Sequence, residues 1–178
     1  MESNAQQTNT QQTNVQETVD YTKPLGVSGL GGWLVLTQIG LFLTLVLGFL
    51  QLPEYFLSIF GTETWELFTS KDSVYYHPLW APMLIFEAIF NSLLMGFTIF
   101  ILIMFYQKKA ILPKLMIILY SANLLFWIAD IIMMYQIPLA REVEDGSSIR
   151  DVVKSAITCA IWIPYFLKSE RVKNTFVK

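Results

Sequence analysis

The chain contains 178 residues, of which 54% are hydrophobic and only 15% are charged. Soluble globular domains usually carry about 25% charged residues, so this composition argues against a cytosolic enzyme and a disulfide-built secreted domain. A net charge of -2 gives no electrostatic basis for binding nucleic acid. The single cysteine, Cys159, and the single histidine, His77, are too few for a disulfide, a zinc site or a haem site, so no metal or cofactor is expected.

The chain begins with a polar segment rich in Gln, Thr and Asn. Such a segment buries too little apolar surface to offset its ordering entropy, so residues 1–23 are predicted to be a disordered tail. A bilayer-spanning helix needs about 20 apolar residues, and four such blocks follow. The predicted fold is therefore all-α: a four-helix transmembrane domain over 24–167, with helices at about 33–52, 80–106, 113–136 and 148–167, and a basic cytoplasmic tail over 168–178.

Local signals refine these elements. A short helix is predicted at 63–69 in the connection between the first two spans. Ser147 or Ser148 is expected to cap the fourth span, because a serine hydroxyl can accept a hydrogen bond from a free N–H of the first turn. Pro164 is expected to kink or end that span.

The charges of the connections predict the orientation. The turn between the second and third spans and the C-terminal tail are basic, whereas the other two connections are acidic. The positive-inside rule then places both termini in the cytoplasm. The basic residues are Lys108, Lys109, Lys114, Lys168, Arg171, Lys173 and Lys178, and the acidic ones are Glu54, Glu63, Glu66, Asp72, Glu142, Glu144, Asp145 and Asp151.

Small residues recur at four-residue spacing on the first two spans. Such rows let helix backbones approach closely, so the two rows are expected to meet if these helices pack antiparallel. The alternative is that one row makes a homodimer. The rows are Gly40, Thr44 and Gly48 on the first span, and Ala88, Ser92 and Gly96 on the second.

Polar residues within the spans fall into two layers. At a rise of about 1.5 Å per residue, Asn91 and Asn123 lie close to the bilayer midplane. Glu87, Asp130 and Lys154 lie roughly 7–10 Å further towards the outside. Charged groups at this depth cost several kcal/mol unless paired or hydrated, so the three are expected to face one another.

Three interpretations of these layers remain open. They hold the helices together as purely structural pairs, they form an ion or proton pathway, or they bind a small polar ligand. If all three groups ionise, one negative charge is in excess. Either one carboxyl then holds a proton or a further cation, with Arg150 as a candidate, lies nearby.

The leading prediction is a non-enzymatic membrane protein with a polar cavity open to the outside, which binds a small ion or polar ligand in transport, sensing or an accessory role. The alternative is an interaction or scaffold protein that recruits a membrane protein partner. A third class is an intramembrane enzyme using Glu87 and Asp130 as a carboxylate pair. It is the weakest, because no nucleophile or metal cluster accompanies them. The candidate ligand-binding residues are Glu87, Asn91, Asn123, Asp130 and Lys154.

The C-terminal tail is basic with apolar anchors, and it is expected to lie on the inner leaflet of the lipid bilayer. The residues assigned to this surface are Lys168, Arg171, Lys173 and Phe176. Together with Gly31, Gly32 and Trp33, the closing pattern of Pro164, Tyr165, Ser169, Arg171, Val172, Lys173, Thr175 and Phe176 resembles an uncharacterised bacterial family known only as a domain of unknown function (number 2569). The resemblance covers about 26–178. It implies four transmembrane helices in a bacterial plasma membrane and no established activity.

Overall fold

A computed structural model describes residues 27–178, so the predicted tail at 1–23 lies outside the described residues. Within 27–178 every regular element is a helix and no strand occurs, as predicted. The helices are α1 (Trp33–Phe60), α2 (Thr62–Thr69), α3 (Trp80–Tyr106), α4 (Leu112–Met134), α5 (Pro138–Val143), α6 (Ser147–Lys168) and α7 (Glu170–Thr175).

Three of the helices, α1, α3 and α4, are long and apolar enough to cross a membrane. The fourth long helix, α6, has 22 residues but carries Arg150, Asp151 and Lys154 in its first turns. These charges shorten its apolar stretch. Three of the four predicted spans are therefore confirmed as helices that could cross a membrane, and the protein is membrane-like in its helix composition.

Prolines lie inside two of the long helices, and at the first of them the predicted helix end is wrong. The sequence predicts a first span that stops at residue 52, yet α1 continues through Pro53 to Phe60. Proline removes one backbone donor from a helix, but the helical pattern resumes and ends where the Gly61 N–H donates to the Leu57 carbonyl at 2.7 Å. Pro164 lies inside α6 and does not end it, and α6 continues to Lys168, one residue beyond the predicted end at 167.

The start of α6 is capped by acids and not by the predicted serine side chains. Gly146 is the N-cap residue, with a left-handed φ of 85°. The Asp145 carboxylate accepts a hydrogen bond from the Ser147 N–H at 3.0 Å, and the Glu144 carboxylate accepts one from the Ser148 N–H at 2.9 Å. Carboxylates are favourable here because the helix N-terminus carries partial positive charge.

The long helices pack in the order α1, α3, α4, α6, with the most extensive contact between α4 and α6. One core cluster joins the start of α1, the end of α3, the start of α4 and the end of α6. A second cluster joins the start of α3 to the end of α4 and to α5, and its members do not come from α1. The buried residues of α1 are Leu34, Thr37 and Leu41, all in its first turns. The later part of α1 is therefore less closely packed than its start.

The predicted contact between two rows of small residues is wrong. A Cβ atom built at Gly40, Gly48 or Gly96 would meet no other atom within 4 Å, so no backbone approaches closely there. Helices α1 and α3 do pack together, but large apolar side chains such as Leu41 and Ile101 fill their contact in the first core cluster.

The C-terminal segment is part of the folded structure. Phe176 is buried and its ring lies 5.4 Å from that of Phe105, so it is a core residue and not the lipid anchor that the sequence predicted. The Ala110 N–H donates to the Lys178 carbonyl at 2.7 Å, which holds the end of the chain against the turn between α3 and α4. Lys168 and Lys173 are exposed, while the Arg171 Nη1 donates to the Ser28 carbonyl at 3.4 Å.

Candidate functional site

One face of α1 carries small and polar residues along most of its length. Their spacing of three or four residues puts them on the same side of the helix. We call this row the α1 polar face; it consists of Thr37, Gly40, Thr44, Gly48, Gln51 and Tyr55. From first to last it extends about 27 Å at the helical rise per residue, close to the hydrocarbon thickness of a bilayer.

The second half of this face lines a cavity of about 210 Å³, cavity A, between α1, α3 and α4. A water molecule occupies about 30 Å³ in the liquid, so cavity A has room for several waters or a small solute. Its polar lining comes from all three helices: Thr44, Gln51, Tyr55, Asn91, Thr98 and Asn123.

The first half of the face lines another cavity of about 270 Å³, cavity B, between α1, α4 and α6. Its polar side chains include Thr37, Tyr120, Thr158 and Trp162. Thr44 lines both cavities. Cavities A and B therefore follow one another along the α1 polar face.

Glu87 of α3 and Asp130 of α4 form a carboxyl pair beside cavity A. The two side chains are close enough to interact with each other. Each lies one turn from a residue that lines the cavity, since Glu87 precedes Asn91 and Asp130 follows Trp127. Tyr55 also lines cavity A and is close enough to both carboxyl groups to interact with them electrostatically. The structure therefore brings together two of the three residues of the predicted charged layer, Glu87 and Asp130.

One oxygen of the carboxyl pair has no hydrogen-bond donor among the described residues. Asp130 is only 7% exposed, and no group among residues 27–178 donates a hydrogen bond to its buried Oδ1. Glu87 is partly buried. Buried carboxylates normally have donors or counter-ions, and this oxygen has no donor within residues 27–178.

Lys154 does not join this pair, and the prediction that it completes the charged layer is wrong. Its ammonium lies 2.9 Å from the Asp151 carboxylate one turn earlier on α6, and its side chain is 66% exposed. A partner three residues away on the same helix surface is within easy reach, so Lys154 is paired locally. Arg150, the other candidate cation, is also exposed.

The two asparagines line cavity A but do not bond to each other. The Asn91 amide donates to the Glu87 carbonyl of its own helix at 2.8 Å. The Asn123 amide donates to the Ser155 hydroxyl of α6 at 3.3 Å. The predicted central layer is thus a shared cavity lining, with Asn123 also linking α4 to α6.

Sequence reasoning missed Gln51 and Tyr55 as members of the site and misassigned Thr44 to helix packing. The signal that could have found them is periodicity, because Gly40, Thr44 and Gly48 continue to Gln51 and Tyr55 at helical spacing. A row of small residues alone is typical of close packing. Its continuation into larger polar residues is more typical of a cavity wall.

Within residues 27–178, no three His, Cys, Asp or Glu side chains are grouped so that they could hold a metal ion. Over residues 27–177 the chain matches the family described as "Protein of unknown function (DUF2569)". The chain belongs to this family. The match includes every helix from α1 to α7 and confirms the resemblance that the sequence motifs indicated. Neither the curated proteins nor the solved structures contain a match to this DUF2569 chain.

Proposed function

We propose that this DUF2569 protein is a non-enzymatic, multi-pass protein of the bacterial plasma membrane that binds a small polar solute along the α1 polar face. In this proposal α1, α3, α4 and α6 all span the bilayer, and cavity A opens to the outside. The solute is transported or sensed there, or its binding serves an accessory role in a larger membrane complex.

The observation that carries this proposal is the succession of two cavities along one polar helix face. Polar side chains within a membrane are costly unless they face water, a ligand or one another. Cavities A and B give the hydroxyl and amide groups of the α1 polar face a place where solute or water satisfies them.

The charge distribution supports the proposed orientation. The end of α3, the start of α4 and α7 lie together at one end of the structure, where lysines and arginine predominate. The opposite end holds the acidic connections. By the positive-inside rule the basic end, and with it both termini, belongs in the cytoplasm.

A scaffold protein whose polar residues only hold helices together is the second candidate. The Asn123–Ser155 hydrogen bond and the Glu87–Asp130 contact favour it, because both join different helices. Against it, many hydroxyls bond within their own helix. Thr98 donates to the Leu94 carbonyl and Thr158 to the Lys154 carbonyl, each at 2.8 Å, so neither holds two helices together.

Cysteine accessibility along α1 tests the proposed function. In a Cys159→Ser background, Gly48→Cys and Gln51→Cys are introduced on the polar face, and Val46→Cys and Leu50→Cys on the exposed apolar face as controls. The background substitution keeps a donor for the Tyr120 carbonyl, which the Cys159 thiol contacts at 3.2 Å. The full-length variants are reconstituted in liposomes and treated with a small water-soluble thiol reagent.

We expect the two polar-face cysteines to react at least ~10-fold faster than the controls, because a thiol must be hydrated to ionise and react. Equal, slow labelling of all four would show that the polar face is dry and would favour the scaffold. Circular dichroism and size-exclusion chromatography identify any variant that has failed to fold.

A further inference from the structure

We infer that the solute is a small monovalent cation, and that it binds next to Glu87 and Asp130 in exchange for a proton that the two carboxyl groups share. This inference rests on the proposed function and names the chemical class of its ligand. It depends on the geometry of the carboxyl pair, the absence of a nearby positive charge within residues 27–178 and the adjoining cavity.

The closeness of two carboxyl groups, one of them buried, favours a positive charge between them. Two ionised carboxylates offer only acceptors and repel each other, whereas a carboxyl and a carboxylate can share one hydrogen bond. The buried Asp130 Oδ1, which lacks a donor within residues 27–178, is the atom that most needs a proton or a cation.

The charged and titratable groups around the pair do not supply that positive charge. Tyr55 and Glu54 lie on α1, and neither carries a positive charge. Glu144 follows α5, and its carboxylate accepts a hydrogen bond from the Ser148 hydroxyl at 2.9 Å. Glu63 and Glu66 of α2 are exposed. Arg141 on α5 and Arg150 on α6 are exposed, and Lys154 is paired with Asp151, which is the only ion pair within residues 27–178.

Exchange of a proton for a monovalent cation leaves the net charge of the site unchanged. The pair with one shared proton carries one negative charge; two ionised carboxylates with one bound monovalent cation carry the same charge. The carboxyl O–H bond breaks, the cation takes the position between the oxygens, and the proton leaves to water. Because the total charge is the same, the cost of holding it within the membrane changes little.

The neighbouring side chains suit such a cation better than a divalent one. Neutral oxygens of Tyr55 and Gln51 line cavity A beside the pair, and Asn91 lies one turn from Glu87. Calcium usually takes six to eight oxygen ligands, several of them from carboxylates. The described part of the chain offers no cluster of three acidic or histidine side chains for that purpose.

Proton release on cation addition tests the inference. The full chain in nanodiscs, in weakly buffered solution with a pH-indicator dye, is titrated with NaCl, with methylammonium chloride and with N-methylglucamine chloride. The last salt controls for ionic strength with a bulky cation. We expect about one proton per chain to be released by sodium or methylammonium, and none by N-methylglucamine. The arm that responds distinguishes an inorganic from an organic cation.

Glu87→Gln and Asp130→Asn should each abolish this release, because a single carboxyl has no proton to share. Glu63→Gln is the matched control, since it neutralises an exposed carboxyl on α2 at the same end of the protein, and its release should equal that of the wild type. Loss of release in Glu63→Gln as well would overturn the assignment to the pair.

Infrared difference spectra of the wild type keep the inference testable even if a variant fails to fold. The band of a protonated carboxyl should disappear when the responding cation is added. Absence of proton release together with an unchanged carboxyl band would overturn the cation exchange. If the polar-face cysteines are labelled in that case, the proposed solute site stands; if they are not, both proposals fail.

Discussion

The Thr175 side chain forms two hydrogen bonds with the backbone of Gly29, a residue 146 positions earlier in the chain. Its Oγ1 accepts a hydrogen bond from the Gly29 N–H at 2.9 Å and donates one to the Gly29 carbonyl at 3.3 Å. Thr175 is 3% exposed. One hydroxyl thus joins α7 to the segment that precedes α1, next to the buried Phe176.

Thr175→Val should therefore destabilise the protein. Valine keeps the shape of threonine but leaves the Gly29 N–H and carbonyl without this partner, at an expected cost of about 1–3 kcal/mol. Thr69→Val is the control, because the Thr69 hydroxyl donates only to the Trp65 carbonyl within its own helix. Thermal unfolding in detergent measures both. A Thr175→Val protein as stable as Thr69→Val would mean that α7 is not held by this contact.

The small-residue rows predicted close helix packing at Gly96, and glycine substitutions should show the opposite. A Cβ at Gly61 would overlap the Leu57 carbonyl, so Gly61→Ala should destabilise the protein by about 1–3 kcal/mol. Gly96 has open space around it, and Gly96→Ala should be neutral or should stabilise α3 by up to about 1 kcal/mol. A larger loss at Gly96 than at Gly61 in thermal unfolding would restore close helix packing at that row.

Lys154→Met should have little effect on stability. Lys154 is mostly exposed and its pair with Asp151 is a surface pair, which typically contributes no more than about 1 kcal/mol. Chemical unfolding of the purified protein in mixed micelles measures the difference. A severe loss, partly restored by adding Glu87→Gln, would instead put Lys154 in contact with the carboxyl pair.

The cap of α6 should give the protein a specific acid sensitivity. Hydrogen bonds from Ser147 hold the pKa of Asp145 below its ordinary value of 3.8. A carboxyl whose pKa is lower when folded stabilises the fold above the unfolded pKa, and this contribution disappears as pH falls through the folded pKa. The melting temperature of the wild type should thus fall towards that of Asp145→Asn below about pH 3.8. Parallel curves throughout this range would contradict the cap.

The sequence predicted the long helices well because twenty-residue apolar blocks have few other structures available to them. It failed at Pro53, where a helix continued through a residue that normally ends one. It also failed for Phe176, since an apolar residue in a basic tail can face lipid or the core, and only the position of Phe105 decides between them.

The candidate site was partly predictable for a similar reason. Glu87 and Asp130 meet because depth along each helix follows directly from residue number. Lys154 has a similar depth, but its direction around α6 and the nearby Asp151 decide its partner. The cavity wall at Gln51 and Tyr55 depends on how loosely the later part of α1 packs, which the pattern of apolar residues does not specify.

Hydration of α1 is the most direct test of a solute-accessible polar face. Solid-state NMR of the labelled wild-type protein in lipid bilayers measures how quickly magnetisation passes from water to individual residues. Thr44 and Gln51 should receive it as quickly as residues of the aqueous connections, whereas Leu43 and Leu50 on the exposed apolar side of α1 should remain dry. Thr44 and Gln51 as dry as Leu43 and Leu50 would contradict the account.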